Sequence, residues 1–160
     1  MADAMTDREI LLVPHFYRPD NIASASKAAS LLEDAGIRVR LLDQGEPGSE
    51  QPIDKDPVLN QLERVAPDSQ AAAGCELVLV LGGDGTFLRA AAVAREQDLP
   101  VLGINLGHVG FLAEGEAESL ETAIAHVIDR TYFVEDRMTI DVQVLLSLIH
   151  ISEPTRRTPI

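Results

Sequence analysis

One carboxylate stands among three glycines at the point where a continuous apolar run of the chain ends. Leu77–Leu81 is followed by Gly82-Gly83-Asp84-Gly85, and an alanine-rich segment begins at Thr86. The apolar run is typical of a strand buried on both faces, and the segment 86–94 is typical of a helix. Such corners lie at the carboxyl edge of a parallel sheet, where a helix start offers N–H groups to phosphate. We therefore predict a ligand-binding corner in which Asp84 serves catalysis or metal binding.

The same glycines also fit an ordinary tight turn, in which Asp-Gly is common and glycine serves only close packing. A second loop favours function. The apolar segment 101–104 is followed by Asn105-Leu106-Gly107-His108-Val109-Gly110-Phe111-Leu112, which again places polar side chains and glycines after a strand. Two such loops on successive strands are expected to face one cleft.

The amino-terminal part of the chain predicts the elements that frame these loops. A strand over 9–13, a helix over 21–35 capped by Gly36, and a strand over 38–42 form a right-handed βαβ unit. His15 and Arg18 follow the first strand. They are expected either to reach a ligand at the sheet edge or to lie in a solvated loop.

Three later segments depart from this pattern. Residues 44–73 are rich in Gly, Pro, Asp, Ser and Gln, and predict a flexible excursion with one short helix near 58–65. After a helical stripe over 120–128, strands are predicted over 132–134 and 139–144, the second alternating as a half-exposed antiparallel strand does. A second all-β domain is therefore expected over 135–146. Residues 147–160 are basic where the chain is acidic, and are excluded from the fold as a foreign-looking tail.

Composition restricts the partners. The 160 residues carry 26 acidic and 13 basic side chains, a net charge of −13, which argues against nucleic acid and anionic membranes as partners. A polyphosphate ligand would need local amides, basic side chains or a metal cation. The single cysteine, Cys75, cannot form an intrachain disulfide, and Cys75 and His126 lack metal-ligand spacing. With no signal peptide and no apolar run of about 20 residues, we expect a cytoplasmic protein.

Together, the two glycine loops resemble the NAD kinase family, most closely its actinobacterial members. The matching segments are 81–90, 103–114 and Glu135-Asp136-Arg137-Met138. Gly-Gly-Asp-Gly is shared with diacylglycerol, sphingosine and phosphofructokinase-type enzymes, whereas Asn-Leu-Gly-X-X-Gly-Phe-Leu points to NAD kinases. The resemblance implies a three-layer α/β nucleotide-binding domain with a parallel sheet over residues 1–134, followed by the first strand of a second all-β domain.

The resemblance also implies an activity. The family phosphorylates the 2′-hydroxyl of the adenosine ribose of NAD, using ATP or polyphosphate and a divalent metal, expected to be Mg²⁺. On this chain Asp84 would accept the hydroxyl proton, and Phe87 and Arg89 would lie beside the adenosine half. The other residues expected to bind the dinucleotide or donor are Gly83, Gly85, Thr86 and Asn105. No residue is assigned as a metal ligand, and the full-length protein is expected to be a homo-oligomer.

Two other functions stay open. A diacylglycerol-type lipid kinase shares the Gly-Gly-Asp-Gly turn, although the second loop and the absence of a basic membrane-seeking face count against it. A non-catalytic nucleotide-binding module is the third possibility, because the family's later Asn-Glu pair and Thr-Gly-Ser-Thr-Ala-Tyr loop are not in the 160 residues. The chain by itself is therefore predicted to be an inactive fragment.

Overall fold

A computed structural model describes residues 8–45, 50–105 and 120–138. Its strands are β1 (Glu9–Pro14), β2 (Arg38–Leu42), β3 (Glu63–Val65), β4 (Leu77–Leu81) and β5 (Val101–Ile104), and its helices are α1 (Pro19–Asp34), α2 (Asp84–Arg95) and α3 (Leu120–Asp129). The strands form one sheet in the order β3-β2-β1-β4-β5, and every pair is parallel. The four strands expected from the apolar runs are confirmed, as is their parallel arrangement.

Helices cover both faces of the sheet. Alternate residues of a strand point to opposite faces, so Ile10 and Leu12 of β1 pack towards α1 and α3, whereas Leu11 and Val13 pack towards α2. All four side chains are completely buried. Continuous apolar strands are required because both faces are covered. The expected three-layer α/β architecture is therefore confirmed.

The segment 44–73 contributes a strand, and of the short helix predicted near 58–65 only a 3₁₀ helix over Leu59–Gln61 forms, because residues 63–65 belong to that strand. Two short 3₁₀ turns, Pro52–Lys55 and Leu59–Gln61, precede β3, which pairs with β2 through Arg40↔Glu63 and Leu42↔Val65. Ile53 and Leu59 are completely buried in the core. A three-residue edge strand is too short to show a period of two, which is why the sequence pattern did not indicate it.

The strand predicted over 132–134 is also wrong. Residues 131–138 have no regular structure, and Phe133 is 99% exposed. The Tyr132 hydroxyl donates to Glu76, and among the described residues no strand pairs with this segment. A strand needs a ladder partner, so β propensity alone did not suffice. The strand predicted over 139–144 and the tail 147–160 lie outside the described residues, and the second domain stays a prediction.

A charged cluster ties α3 to the amino edge of the sheet. Arg8 donates from Nε and Nη2 to the Glu76 carboxylate at 2.7 and 2.9 Å, and from Nη1 and Nη2 to the carbonyls of Ile128 and Val127 at 2.7 Å. Arg130 adds a third donor to Glu76 at 3.1 Å. The last carbonyls of a helix have no partner within it, so Arg8 satisfies two of them. Donation from Arg8, followed by Arg130 and the Tyr132 hydroxyl, lowers the pKa of Glu76 to about 2.

Candidate functional site

A cleft of about 510 Å³ opens at the carboxyl edge of the sheet, opposite the Glu76 cluster. Its walls come from the residues that follow β1, β2, β4 and β5, together with the first turns of α1 and α2. The lining residues are His15, Phe16, Tyr17, Arg18, Asn21, Gln44, Gly82, Gly83, Asp84, Gly85, Thr86, Arg89 and Asn105. Its volume lies within the range of small-molecule and cofactor sites.

The glycines of the Gly-Gly-Asp-Gly turn serve different purposes. A Cβ added at Gly82 would lie 2.7 Å from Thr86 Oγ1 and 2.9 Å from Thr86 Cβ, so close packing requires glycine at this position. A Cβ added at Gly83 or Gly85 would meet nothing within 4 Å. Neither residue has a φ in the left-handed region that favours glycine. The packing explanation therefore accounts for Gly82 alone, while Gly83 and Gly85 leave the backbone accessible from the cleft.

Asp84 is the first residue of α2. The helix was expected to begin at Thr86, but Gly83 is its N-cap, and the Gly83 carbonyl accepts from the amides of Thr86 and Phe87 at 3.0 Å each. Asp84 is half-buried, and it is the only carboxylate in the described lining of the cleft. The first N–H groups of a helix have no partner within the helix, so this corner combines amide donors with a proton acceptor.

Two arginines line the same cleft as that carboxylate. Arg18 follows β1, and Arg89 lies on α2 one turn after Gly85; both side chains are exposed in the cleft wall. Two guanidinium groups against one carboxylate make the site locally basic in a chain with a net charge of −13. The distribution favours an anionic ligand at this edge of the sheet.

The structure brings together six of the seven predicted site residues. Gly83, Asp84, Gly85, Thr86, Arg89 and Asn105 all line the cleft. Phe87 does not line it: the ring is half-buried and packs on the core between α2 and the sheet. Phe87 and Arg89 are two residues apart, and side chains at that spacing lie on different faces of a helix. The rest of the second loop, including His108, lies outside the described residues.

Sequence reasoning missed four lining residues, Phe16, Tyr17, Asn21 and Gln44. His15 and Arg18, which were weighed as either ligand contacts or solvated loop, also line the cleft. His15 Nδ1 accepts from the Tyr17 amide at 3.3 Å, and the two rings meet edge to face with centroids 6.3 Å apart. Gln44 could have been found from its position, because it follows β2 as Asp84 follows β4.

The described residues contain no group of three or more His, Cys, Asp or Glu side chains close enough to hold a metal ion. Mg²⁺ commonly keeps several waters and takes only one or two carboxylates plus substrate phosphates, which a single Asp84 fits.

His126 and Cys75 lie away from the cleft: His126 Nδ1 is 2.7 Å from Thr131 Oγ1, and the buried Cys75 thiol is 3.0 Å from Arg40. Burial raises the pKa of Cys75. Over the same described ranges, the helices are too short or too polar to span a bilayer.

Comparison with known proteins gives consistent matches. Residues 10–132 match a family model described as the ATP-NAD kinase N-terminal domain. The NAD kinase of Corynebacterium diphtheriae is 55% identical over 142 residues, which is 89% of this chain and 44% of that protein. The NAD kinase of Corynebacterium efficiens is 61% identical over 86% of this chain and 42% of its own length. The NAD kinase of Mycobacterium bovis is 48% identical over 86% of this chain and 46% of its own length. The chain thus spans less than half the length of these relatives.

Proposed function

Because this chain belongs to the ATP-NAD kinase family, we propose that the complete protein transfers a phosphoryl group to the 2′-hydroxyl of the adenosine ribose of NAD. One observation carries the proposal. Asp84 is the only carboxylate in the described cleft lining, it lies at a helix start between two accessible glycines, and two arginines line the same cleft. The site therefore combines one proton acceptor with several groups that attract phosphate.

The proposed chemistry begins with the ribose hydroxyl. A hydroxyl is a weak nucleophile, and Asp84 orients it and accepts its proton as the new O–P bond forms. Phosphoryl transfer depends mainly on positioning and on stabilising charge at the phosphoryl oxygens. The amides of the first turn of α2 and the guanidinium groups of Arg18 and Arg89 supply donors of that kind. Gly85 allows the dinucleotide to approach the backbone.

The donor is ATP or polyphosphate, and the metal is Mg²⁺. A bound divalent ion would neutralise charge on the donor phosphates. Asp84 is the one described lining residue with a carboxylate that could contact such an ion. The remaining ligands would be phosphate oxygens and waters, which suits a cleft whose other side chains are neutral or basic.

A lipid kinase no longer fits, because the family model over residues 10–132 is that of NAD kinases. The alternative of a non-catalytic nucleotide-binding module still holds for the 160 residues alone. Since they span less than half the length of the relatives, we expect weak NAD binding and little turnover from them. We further propose that the full-length protein is cytoplasmic and binds neither nucleic acid nor membrane. We also propose that it is a homo-oligomer, which light scattering tests.

The decisive experiment joins residues 1–138 to the carboxyl-terminal part of the Corynebacterium efficiens relative and measures NADP formation. Asp84→Asn keeps the size of the side chain but removes the proton acceptor. We expect kcat to fall by about 10²–10⁴-fold, with a smaller change in the KM for NAD. The matched control is Asp98→Asn at the other end of α2, an exposed residue with a φ of 53° that asparagine adopts readily.

Two results would count against the proposal. A nearly normal kcat with a raised KM would show that Asp84 binds substrate without accepting a proton. An unfolded Asp84→Asn chain would indicate a structural turn, so a thermal melt accompanies the kinetics. A titration with NAD beside the turnover assay separates a binding module from an enzyme.

A further inference from the structure

Gln44 links three segments at the mouth of the cleft. Its Nε2 donates to the carbonyl of Pro14, the last residue of β1, at 3.0 Å. Its Oε1 accepts from Arg89 Nη1, on α2, at 2.7 Å. A half-buried neutral amide thus lies between a sheet carbonyl and an exposed guanidinium. Both of its polar atoms are used, which fixes the orientation of the amide.

The backbone on either side of Gln44 is held as well. The Asp43 amide donates to the carbonyl of Val65 in β3 at 2.8 Å, and the Asp43 carboxylate accepts from the Gly45 amide at 3.1 Å. A Cβ added at Gly45 would overlap Nε2 of Gln51, so the Gln51 side chain packs directly against this glycine and would have to move. Gln51 is itself buried, and its backbone N–H donates to the Asp54 carboxylate at 2.7 Å. The segment that follows β2 therefore presents Gln44 from a defined turn.

This arrangement matters because Arg89 is long and exposed. A free arginine side chain loses conformational entropy when a ligand immobilises it, which weakens binding. Gln44 removes part of that freedom before the ligand arrives. It uses one N–H of a group with five donors, and because it is neutral it leaves the positive charge intact for a phosphate.

We propose that Gln44 is a positioning residue, which holds the Arg89 guanidinium in place for a phosphate group of the dinucleotide. This inference rests on the proposed function, since it takes NAD as the ligand of the cleft. Loss of such preorganisation typically weakens binding by about two- to tenfold. The effect of Gln44 must pass through Arg89, because Gln44 itself is not required to touch the ligand.

The test uses the joined protein described above, residues 1–138 with the carboxyl-terminal part of the Corynebacterium efficiens relative, and two measurements. NMR relaxation of the Arg89 Nε–Hε group without ligand reports its order, and a calorimetric titration with NAD reports affinity. Gln44→Met keeps the length of the side chain but makes neither hydrogen bond, so both the order and the affinity should fall. The matched control is Gln61→Met, because Gln61 also donates to a proline carbonyl, that of Pro57 at 2.7 Å, but is not in the cleft wall.

Two further variants separate positioning from a general structural effect. In an Arg89→Ala background, Gln44→Met should weaken NAD binding no further. Gln44→Glu should keep Arg89 ordered yet lower the affinity, because the carboxylate competes with phosphate for the guanidinium. An unchanged order of Arg89 in Gln44→Met, or additive losses in the double variant, would overturn the role of Gln44. Absence of NAD binding by the unaltered joined protein would instead contradict the proposed function.

Discussion

Replacing Glu76 by glutamine tests how the amino edge of the sheet holds α3. The carboxylate accepts two parallel bonds from Arg8, one from Arg130 and one from the Tyr132 hydroxyl at 2.9 Å. The Glu76 side chain is only 17% exposed and that of Arg8 18%. The glutamine side chain would keep the volume but bring an NH₂ group against the Arg8 donors. The Arg8 guanidinium would then be left partly buried beside a neutral group.

The pKa of Glu76 sets the size of the effect. Donation by Arg8, followed by Arg130 and Tyr132, lowers the pKa from 4.5 to about 2. A shift of roughly two and a half units corresponds to about 3 kcal/mol of unfolding free energy. Because the folded-state pKa is the lower one, this stabilisation is fully present above about pH 4.5 and is lost as the pH falls towards 2. Glu76→Gln should therefore lose about 3 kcal/mol at neutral pH.

Urea unfolding of the 160-residue chain, followed by circular dichroism, measures this difference. Because many carboxylates titrate in acid, the informative quantity is the unfolding free energy of the wild type minus that of the variant. This difference is measured from about pH 7 to about pH 3. It should shrink as the pH falls. Glu63→Gln is the matched control, because the Glu63–Arg38 pair at 2.5 Å is more than half exposed, and should cost at most about 0.5 kcal/mol. A difference below about 1 kcal/mol for Glu76→Gln, or one independent of pH, would refute the reasoning.

Two other predictions follow from packing. Gly82→Ala should destabilise the chain by about 1–3 kcal/mol in thermal melts, because its Cβ would lie 2.7 Å from Thr86 Oγ1. Gly85→Ala should leave the melting temperature unchanged or raised, since alanine favours helix and its Cβ meets nothing within 4 Å; equal losses for both variants would contradict this. Cys75 is 7% exposed and burial raises its pKa, so a thiol reagent should label it far more slowly in the folded chain than in urea. Similar rates in the two states would show that the buried position is wrong.

Local patterns in the sequence were enough to predict the centre of the site. The continuous apolar run of β4, the glycines after it and the alanine-rich start of α2 are neighbours in the chain, so their geometry follows from short-range sterics and hydrophobic periodicity. The same is true of the βαβ unit from β1 to β2 and of the glycine turn after α1, where Gly36 has a φ of 77°. Because parallel strands share one carboxyl edge, Asp84 and Asn105 could be expected in one cleft, and both line it.

Contacts between distant residues decided the rest. β3 forms because Glu63–Val65 pairs with β2, whereas the apolar segment 132–134 has no strand partner among the described residues and stays irregular. The bond from Arg89 to Gln44 joins residues 45 positions apart, and that from Arg8 to Glu76 joins residues 68 apart. No local periodicity encodes such pairs. They depend on which strand ends the sheet order brings together, and that order is set by packing of the whole domain.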